Sequence, residues 1–322
     1  MRKPKKIFRG VLIVLLVLAA LLASPYLFLN REKQTLDAAA RAGVPGEFIA
    51  LGAGTTHFER AGPADGQVVV LVHGVSVPYF IWDGTFKALA DAGFHVLRFD
   101  LYGRGYSDRP DAAYTTDYYV QQIIDLLAAL GVRQPVDLAG VSLGGYLAAA
   151  FADQHPEQIR RLVMLDPGPS SPAFFNSTVN FLASPILGRY FVTALGNLIW
   201  EAGQKADFFD PAKMPADYLK RYQVQMRYRG FKRAQYATLS HLASLRPGHA
   251  LMDMYARVDA QGRPVLLIWG REDKTSPFAD NVTLRQAMPH AEFHAIDAAG
   301  HLPHIELPQV VNPLLIEFLR RQ

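Results

Sequence analysis

Ser142 is the residue around which a chemistry can be assembled. It stands between two glycines in Gly140-Val141-Ser142-Leu143-Gly144. An apolar run, Val136 to Val141, leads in with the length of a buried strand, and Leu147 to Ala152 follows with good helix formers. Strand, sharp turn and helix are the context that makes a Gly-x-Ser-x-Gly match a nucleophile elbow. Such a turn holds its serine in a strained backbone conformation at the top of a sheet. Side chains at Gly140 and Gly144 would collide where strand and helix crowd together. A serine hydroxyl is a weak nucleophile, so it needs a histidine base, and the histidine needs a carboxylate to orient it.

With the serine on an elbow of this kind, acid and histidine follow it in the chain. His301 is the expected base. It lies in Ala298-Ala-Gly-His-Leu-Pro-His-Ile-Glu306, in a loop between the last expected strand and the closing helix. Its rival is His304, near a helix start and read as structural; His290 and His294 read as surface residues. Asp273 is the expected acid, in the loop after the strand that ends Trp269-Gly270. Asp166 is the alternative, since it ends the preceding strand in the same way. Glu272 is expected to point elsewhere, and Asp297 is too close in the chain to His301 to brace its ring. An oxyanion needs two backbone N–H donors at one point. Leu143, next to the nucleophile, and Val75, in His73-Gly74-Val75 after the Val68–Val72 strand, are the expected pair. His73 is expected to hold that loop rather than react. No cofactor or metal is required.

The elements that position these residues read from residue 48 onward. Short strands are expected over 48–51, 56–60, 68–72, 94–99, 136–141, 159–165, 264–269 and 291–296. Helices are expected over 82–92, 117–130, 277–288 and 307–320, with a further one over 32–42. Strands alternating with helices imply an α/β fold with a mostly parallel, doubly wound sheet. Residues 167–263 break the rhythm. They hold no good strand and 14 aromatics, including Phe174, Phe175, Trp200, Phe208, Phe209 and Tyr222, with 12 basic against 6 acidic residues. This is expected to be a helical cap inserted into a core formed by 31–166 and 264–322. An apolar underside of the cap is expected to face the serine.

The 322 residues contain no cysteine, which excludes disulfides, thiolate metal sites and a cysteine nucleophile. The net charge of +4 comes from the amino terminus, where Arg2, Lys3, Lys5, Lys6 and Arg9 precede an apolar run. Without those five the chain is close to neutral, with no nucleic-acid footprint. Val11 to Leu29 carries no charge and nearly spans a hydrocarbon core. Residues 1–30 are therefore read as an uncleaved anchor with its N-terminus cytoplasmic and the body outside, periplasmic in a bacterium. A signal peptide cleaved near Ala23 is the alternative.

The chain resembles α/β-hydrolase fold proteins of the capped serine-hydrolase type. The resemblance rests on His73-Gly74, Gly103-Arg-Gly-Tyr-Ser-Asp-Arg-Pro110, Gly140-Val-Ser-Leu-Gly-Gly145, Trp269-Gly-Arg-Glu-Asp273 and Gly300-His-Leu-Pro-His-Ile-Glu306, in family order across 48–322. It implies Ser142 as nucleophile, His301 as base, Asp273 as acid, and a cap inserted after the sixth core strand. Epoxide hydrolases and haloalkane dehalogenases of this fold carry an aspartate where Ser142 stands, so those activities are disfavoured. The expected activity is ester hydrolysis through an acyl-enzyme, on a small molecule with an apolar or lipid-like acyl group. The alternatives are carbon–carbon bond hydrolysis of ring-cleavage products, for which cap arginines such as Arg189, Arg227 and Arg229 are available, and a cofactor-free haloperoxidase. A non-catalytic binding protein is the last reading.

Overall fold

In a computed structural model of the chain, residues 3–170, 177–245 and 249–321 are described. The strands are β1 (Glu47–Leu51), β2 (Gly54–Ala61), β3 (Val68–Val72), β4 (His95–Phe99), β5 (Val136–Val141), β6 (Ile159–Leu165), β7 (Val265–Gly270) and β8 (Glu292–Ile296). They form one eight-stranded sheet in the order β1-β2-β4-β3-β5-β6-β7-β8. β2 runs antiparallel to β1 and β4, and all other pairs are parallel. The chain winds one way from β3 to β4 and the other way from β5 onward. The order therefore reverses between β3 and β5, the point where open α/β sheets bind their ligands.

The helices are α1 (Lys3–Phe28), α2 (Ala38–Arg41), α3 (Asp83–Asp91), α4 (Thr116–Ala129), α5 (Leu143–Gln154), α6 (Ser177–Leu182), α7 (Leu187–Ala206), α8 (Tyr218–Gln225), α9 (Phe231–Ser244), α10 (His249–Ala260), α11 (Asn281–Ala287), α12 (Pro303–Glu306) and α13 (Pro308–Arg320). Every residue of β3 and β5 is buried, because helices cover both faces of the sheet. Alternation then divides the core. Val70 and Val72 pack with α4, α5 and α10, whereas Val69 and Leu71 pack with α3 and α13. Each fully buried Val or Leu contributes about 1.5–3 kcal/mol relative to exposure. Thr115 starts α4 by accepting a hydrogen bond from the Tyr118 amide at 3.2 Å.

Two expectations change. Residues 32–42 are not one helix; only Ala38–Arg41 is helical, capped by the Asp37 side chain. Upstream, Gln34 pairs its backbone with Arg227 and Arg229, at 2.9 Å in both directions. The Glu32 carboxylate accepts from the Gly230 and Lys232 amides at the start of α9. These tertiary hydrogen bonds outweigh a weak helix propensity. The second concerns the inserted segment. Its last helix, α10, places Leu251, Met254, Tyr255 and Val258 in the core cluster with α5. It is the crossover helix that the parallel step from β6 to β7 requires. Phe174 and Phe175 lie outside the described residues.

α1 contains a span, Phe8–Phe28, long and apolar enough to cross a membrane, and no residue of its most apolar stretch is buried. Its C-terminal part packs along α7.

Candidate active site

The turn after β5 is built by crowding. Ser142 has φ 56° and ψ −123°, a left-handed conformation that non-glycine residues rarely adopt. A Cβ on Gly140 would lie 2.1 Å from the Gly144 carbonyl group, and one on Gly144 would lie 2.1 Å from the Val72 carbonyl oxygen. Only glycine at both positions lets β5, α5 and β3 close up beneath the serine. The Ser142 amide donates to the Leu165 carbonyl at 2.9 Å, which ties the turn to β6.

β7 and β8 deliver the other two groups. The loop after β7 carries Asp273, whose Oδ1 accepts from the Thr275 and Ser276 amides at 2.7 and 2.9 Å. The loop after β8 carries His301. Its ring Nδ1–H donates to Asp273 Oδ2 at 2.8 Å, and both side chains are buried. Burial opposes a charge on His301, but the neighbouring Asp273 and Asp207 carboxylates outweigh it and lift the pKa to about 8. Ser142 and His301 line the same cavity of about 160 Å³. Among the described residues no hydrogen bond joins them; such contacts are often long before substrate arrives.

Asp166 is adjacent but differently engaged. Its Oδ1 accepts from the Gly270 amide at 2.8 Å. Burial and the neighbouring Asp273 carboxylate push its pKa well above the usual carboxylate range. Asp166, Asp273 and His301 offer atoms within 4.8 Å of one another, a spacing that would also suit a metal ion. The His301–Asp273 hydrogen bond lies within that same group. Glu272 instead accepts from the Ala299 amide, and Asp297 pairs with Arg271. His304 is buried against Trp82 and neutral, its pKa lowered by burial to about 3. Of the two remaining late histidines, His290 is exposed and His294 half-buried.

The loop after β3 faces Ser142. Val75 lines the cavity, and neither its N–H nor that of Leu143 donates to any described acceptor. Leu143 opens α5, so its amide is one of those a helix start leaves free. His73 holds the loop: its Nδ1–H donates to the Gly74 carbonyl at 2.7 Å and its Nε2 accepts from the Leu101 amide at 2.9 Å. Burial lowers its pKa to about 4 and keeps it neutral.

Several residues here were given no role in the site by the sequence. Arg104 is fully buried and pairs with no carboxylate among the described residues. It donates to the Val75 carbonyl at 2.7 Å, to Tyr119 Oη at 2.7 Å and to Thr238 Oγ1 at 2.9 Å, linking the Val75 loop to α4 and α9. The cavity roof comes from α7, with Trp200, Gly203, Gln204, Ala206 and, just past its end, Asp207. Asp207 Oδ1 accepts from Thr275 at 2.7 Å and its carbonyl accepts the His301 amide at 2.8 Å. Burial raises the Asp207 pKa, and His301 and Thr275 oppose that shift. Arg189, Arg227 and Arg229 are exposed and line no part of this cavity. A larger cavity of about 470 Å³ lies elsewhere, around Arg98, Asp83 and Arg221, but those charges are already paired and Ser142 and His301 do not line it.

A 2-hydroxymuconate semialdehyde hydrolase of Pseudomonas putida is 30% identical over 280 residues, covering 85% of this chain and 93% of that one. The AB hydrolase superfamily protein YfhM of Bacillus subtilis is 27% identical, covering 87% and 99%. The crystal structure of Cfl2 from Burkholderia cenocepacia superposes with a TM-score of 0.73 at 23% identity, covering 85% and 95%. A family model described as the alpha/beta hydrolase fold matches residues 67–308, and the chain belongs to that family.

Proposed function

We propose that the chain is a serine hydrolase that opens a bond beside a carbonyl group through an acyl-enzyme. His301 Nε2 takes the Ser142 proton as Oγ attacks the carbonyl carbon. The Leu143 and Val75 amides stabilise the oxyanion. The bond to the leaving group breaks and His301 returns the proton to it. Water then attacks the acyl-enzyme with His301 again as base, releasing the acid and Ser142. The observation that carries this reading is that His301, hydrogen-bonded to the buried Asp273, lines one cavity with the strained Ser142.

Of the two bond types weighed from the sequence, carbon–carbon hydrolysis has the support of the relatives, since one of the most similar is named for 2-hydroxymuconate semialdehyde. Ester hydrolysis keeps one specific support. Among the described residues no arginine or lysine lines the cavity, and Asp207 does. A carboxylate there repels an anionic product of ring cleavage and suits an uncharged acyl group. The cavity is also smaller than the roughly 300 Å³ of a drug-sized site, which favours a short acyl part. The discriminating test is a panel of purified substrates: p-nitrophenyl butyrate, p-nitrophenyl hemisuccinate and 2-hydroxy-6-oxodienoates. Turnover of dienoates alone supports the carbon–carbon reading; turnover of butyrate alone supports the ester reading; no turnover of any sinks both. Above pH 8, Asp207→Asn is expected to raise the hemisuccinate-to-butyrate ratio of kcat/KM about tenfold, or about 1.4 kcal/mol. An unchanged ratio removes Asp207 as the selecting charge.

The base must be neutral to accept a proton. With its pKa at about 8, kcat/KM should climb with pH and level off only above about 8, rather than near the ordinary histidine value. Replacing Asp207 removes one of the two charges that raise that pKa, so the acid limb should move to lower pH. A pH profile of both proteins reads this directly.

We further propose that α1 stays attached as a membrane anchor, with the catalytic body on the side opposite its basic start. The support is its C-terminal end. Asn197 donates to the Leu29 carbonyl at 3.0 Å, and Arg31 pairs with Glu201 at 2.8 Å. Cleavage near Ala23 would keep both of these contacts but remove the hydrogen bond from Tyr190 Oη to the Leu22 carbonyl, at 2.9 Å.

A further inference from the structure

The register between α1 and α7 fixes how deep the cap sits. Tyr190 Oη donates to the Leu22 carbonyl at 2.9 Å. Tyr26 and Thr193 share a hydroxyl hydrogen bond at 2.7 Å, and Asn197 and Arg31–Glu201 continue the series. Residue numbers rise together on the two helices, so they run side by side and parallel. Leu22 belongs to the Phe8–Phe28 span, about 9 Å from its C-terminal end at 1.5 Å per residue. The start of α7 lies one further turn, about 5 Å, beyond Tyr190 in the same direction. There the cap presents Ile186 at 79% exposure, Leu187 at 58% and Phe181 at 41%. Water gains nothing from side chains of this kind, and a cluster of them beside an apolar span has an obvious solvent. Tyr26 and Tyr190 meet edge to face, with centroids 5.7 Å apart, just above the cluster. Tyrosines in that position are the mark of a membrane–water boundary.

We infer that the α6–α7 corner of the cap, carrying Phe181, Ile186 and Leu187, is embedded in the lipid leaflet that holds the C-terminal end of α1. The partner is the acyl-chain region of the bilayer. The inference rests on α1 being a retained anchor, and it is independent of which bond the site cleaves. The register puts the start of α7 about 14 Å from the C-terminal end of the span, within one leaflet of a hydrocarbon core about 30 Å thick. Embedding also gives α7 two working ends. Its 20 residues span about 30 Å from the lipid to Gly203 and Ala206, which roof the cavity above Ser142. A cap held in this way sets the mouth of the cavity close to the membrane surface.

The chain's lack of cysteine makes the test clean. Single variants Leu15→Cys, Ile186→Cys, Leu187→Cys and Val282→Cys of the full chain are labelled with an environment-sensitive fluorophore and reconstituted into phosphatidylcholine vesicles. Leu15 lies in the span, and Val282 is 54% exposed on α11, which packs against α10. Embedding predicts blue-shifted emission at 186 and 187, with quenching by bromine on the lipid chains comparable to that at 15, and neither effect at 282. Leu187 reads the same surface if the variant at 186 does not fold. A blue shift at 186 and 187 without lipid quenching means that protein, such as a second copy, covers the corner, and overturns the inference. Quenching at 15 but aqueous emission at 186 and 187 overturns it while leaving the anchor intact. Aqueous emission at 15 overturns the anchor reading and this inference together.

Discussion

Ser142→Ala is expected to lower kcat on any accepted substrate by about 10⁴–10⁶-fold, because acyl-enzyme chemistry has no route without Oγ. The fold should be untouched. The serine side chain makes no hydrogen bond among the described residues, and alanine meets the same backbone constraint at φ 56°. Thermal midpoints of the two proteins should therefore agree within the shift that about 0.5 kcal/mol produces. A fluorophosphonate probe should label the parent protein and leave the variant unlabelled. Hydrolysis of p-nitrophenyl butyrate or a dienoate persisting at the parent rate would place the nucleophile elsewhere.

Gly140→Ala is expected to have the largest effect on stability. The added Cβ would meet the Gly144 carbonyl group at 2.1 Å and the Gly145 amide at 2.5 Å. All are backbone atoms of α5, so no rotamer change relieves the clash. The helix must shift off β5, and overpacking of this kind costs about 3 kcal/mol or more. The thermal midpoint should fall by roughly 6–12 °C. Gly84→Ala provides the contrast, since a Cβ there meets nothing within 4 Å and the residue lies in α3. It should leave stability unchanged or raise it by up to about 1 kcal/mol. Equal behaviour of the two variants would mean that the elbow does not depend on its glycine.

The candidate site residues were legible because each marks a local event. Ser142, Asp273 and His301 follow strands whose apolar runs are plain in the sequence, and their flanking glycines report tight backbone contacts. Legibility failed where a residue's partner was distant. Nothing around Asp207 distinguishes it from other acidic residues of the cap, yet folding places it against His301. Arg104 reads as a polar loop residue, but it is fully buried and holds the Val75 carbonyl. Glu32 sits in a stretch of helical composition, and α9, some 200 residues later, takes its carboxylate instead.

The division follows from range. Periodicity, glycine positions and strand-end residues are set by sterics and burial within a few residues, and from them the α/β order, the elbow and the acid-then-histidine sequence follow. The apolar length of α1 is of the same kind. The raised pKa values of Asp166 and His301, the lining of the cavity and the packing of α1 along α7 depend on charges and helices brought together from distant parts of the chain. Electrostatic energy varies with distance and burial, which the order of residues does not contain. The tertiary structure alone decided which carboxylate faces the imidazole, which one lies buried beside that pair, and which helix links α1 to the cavity roof.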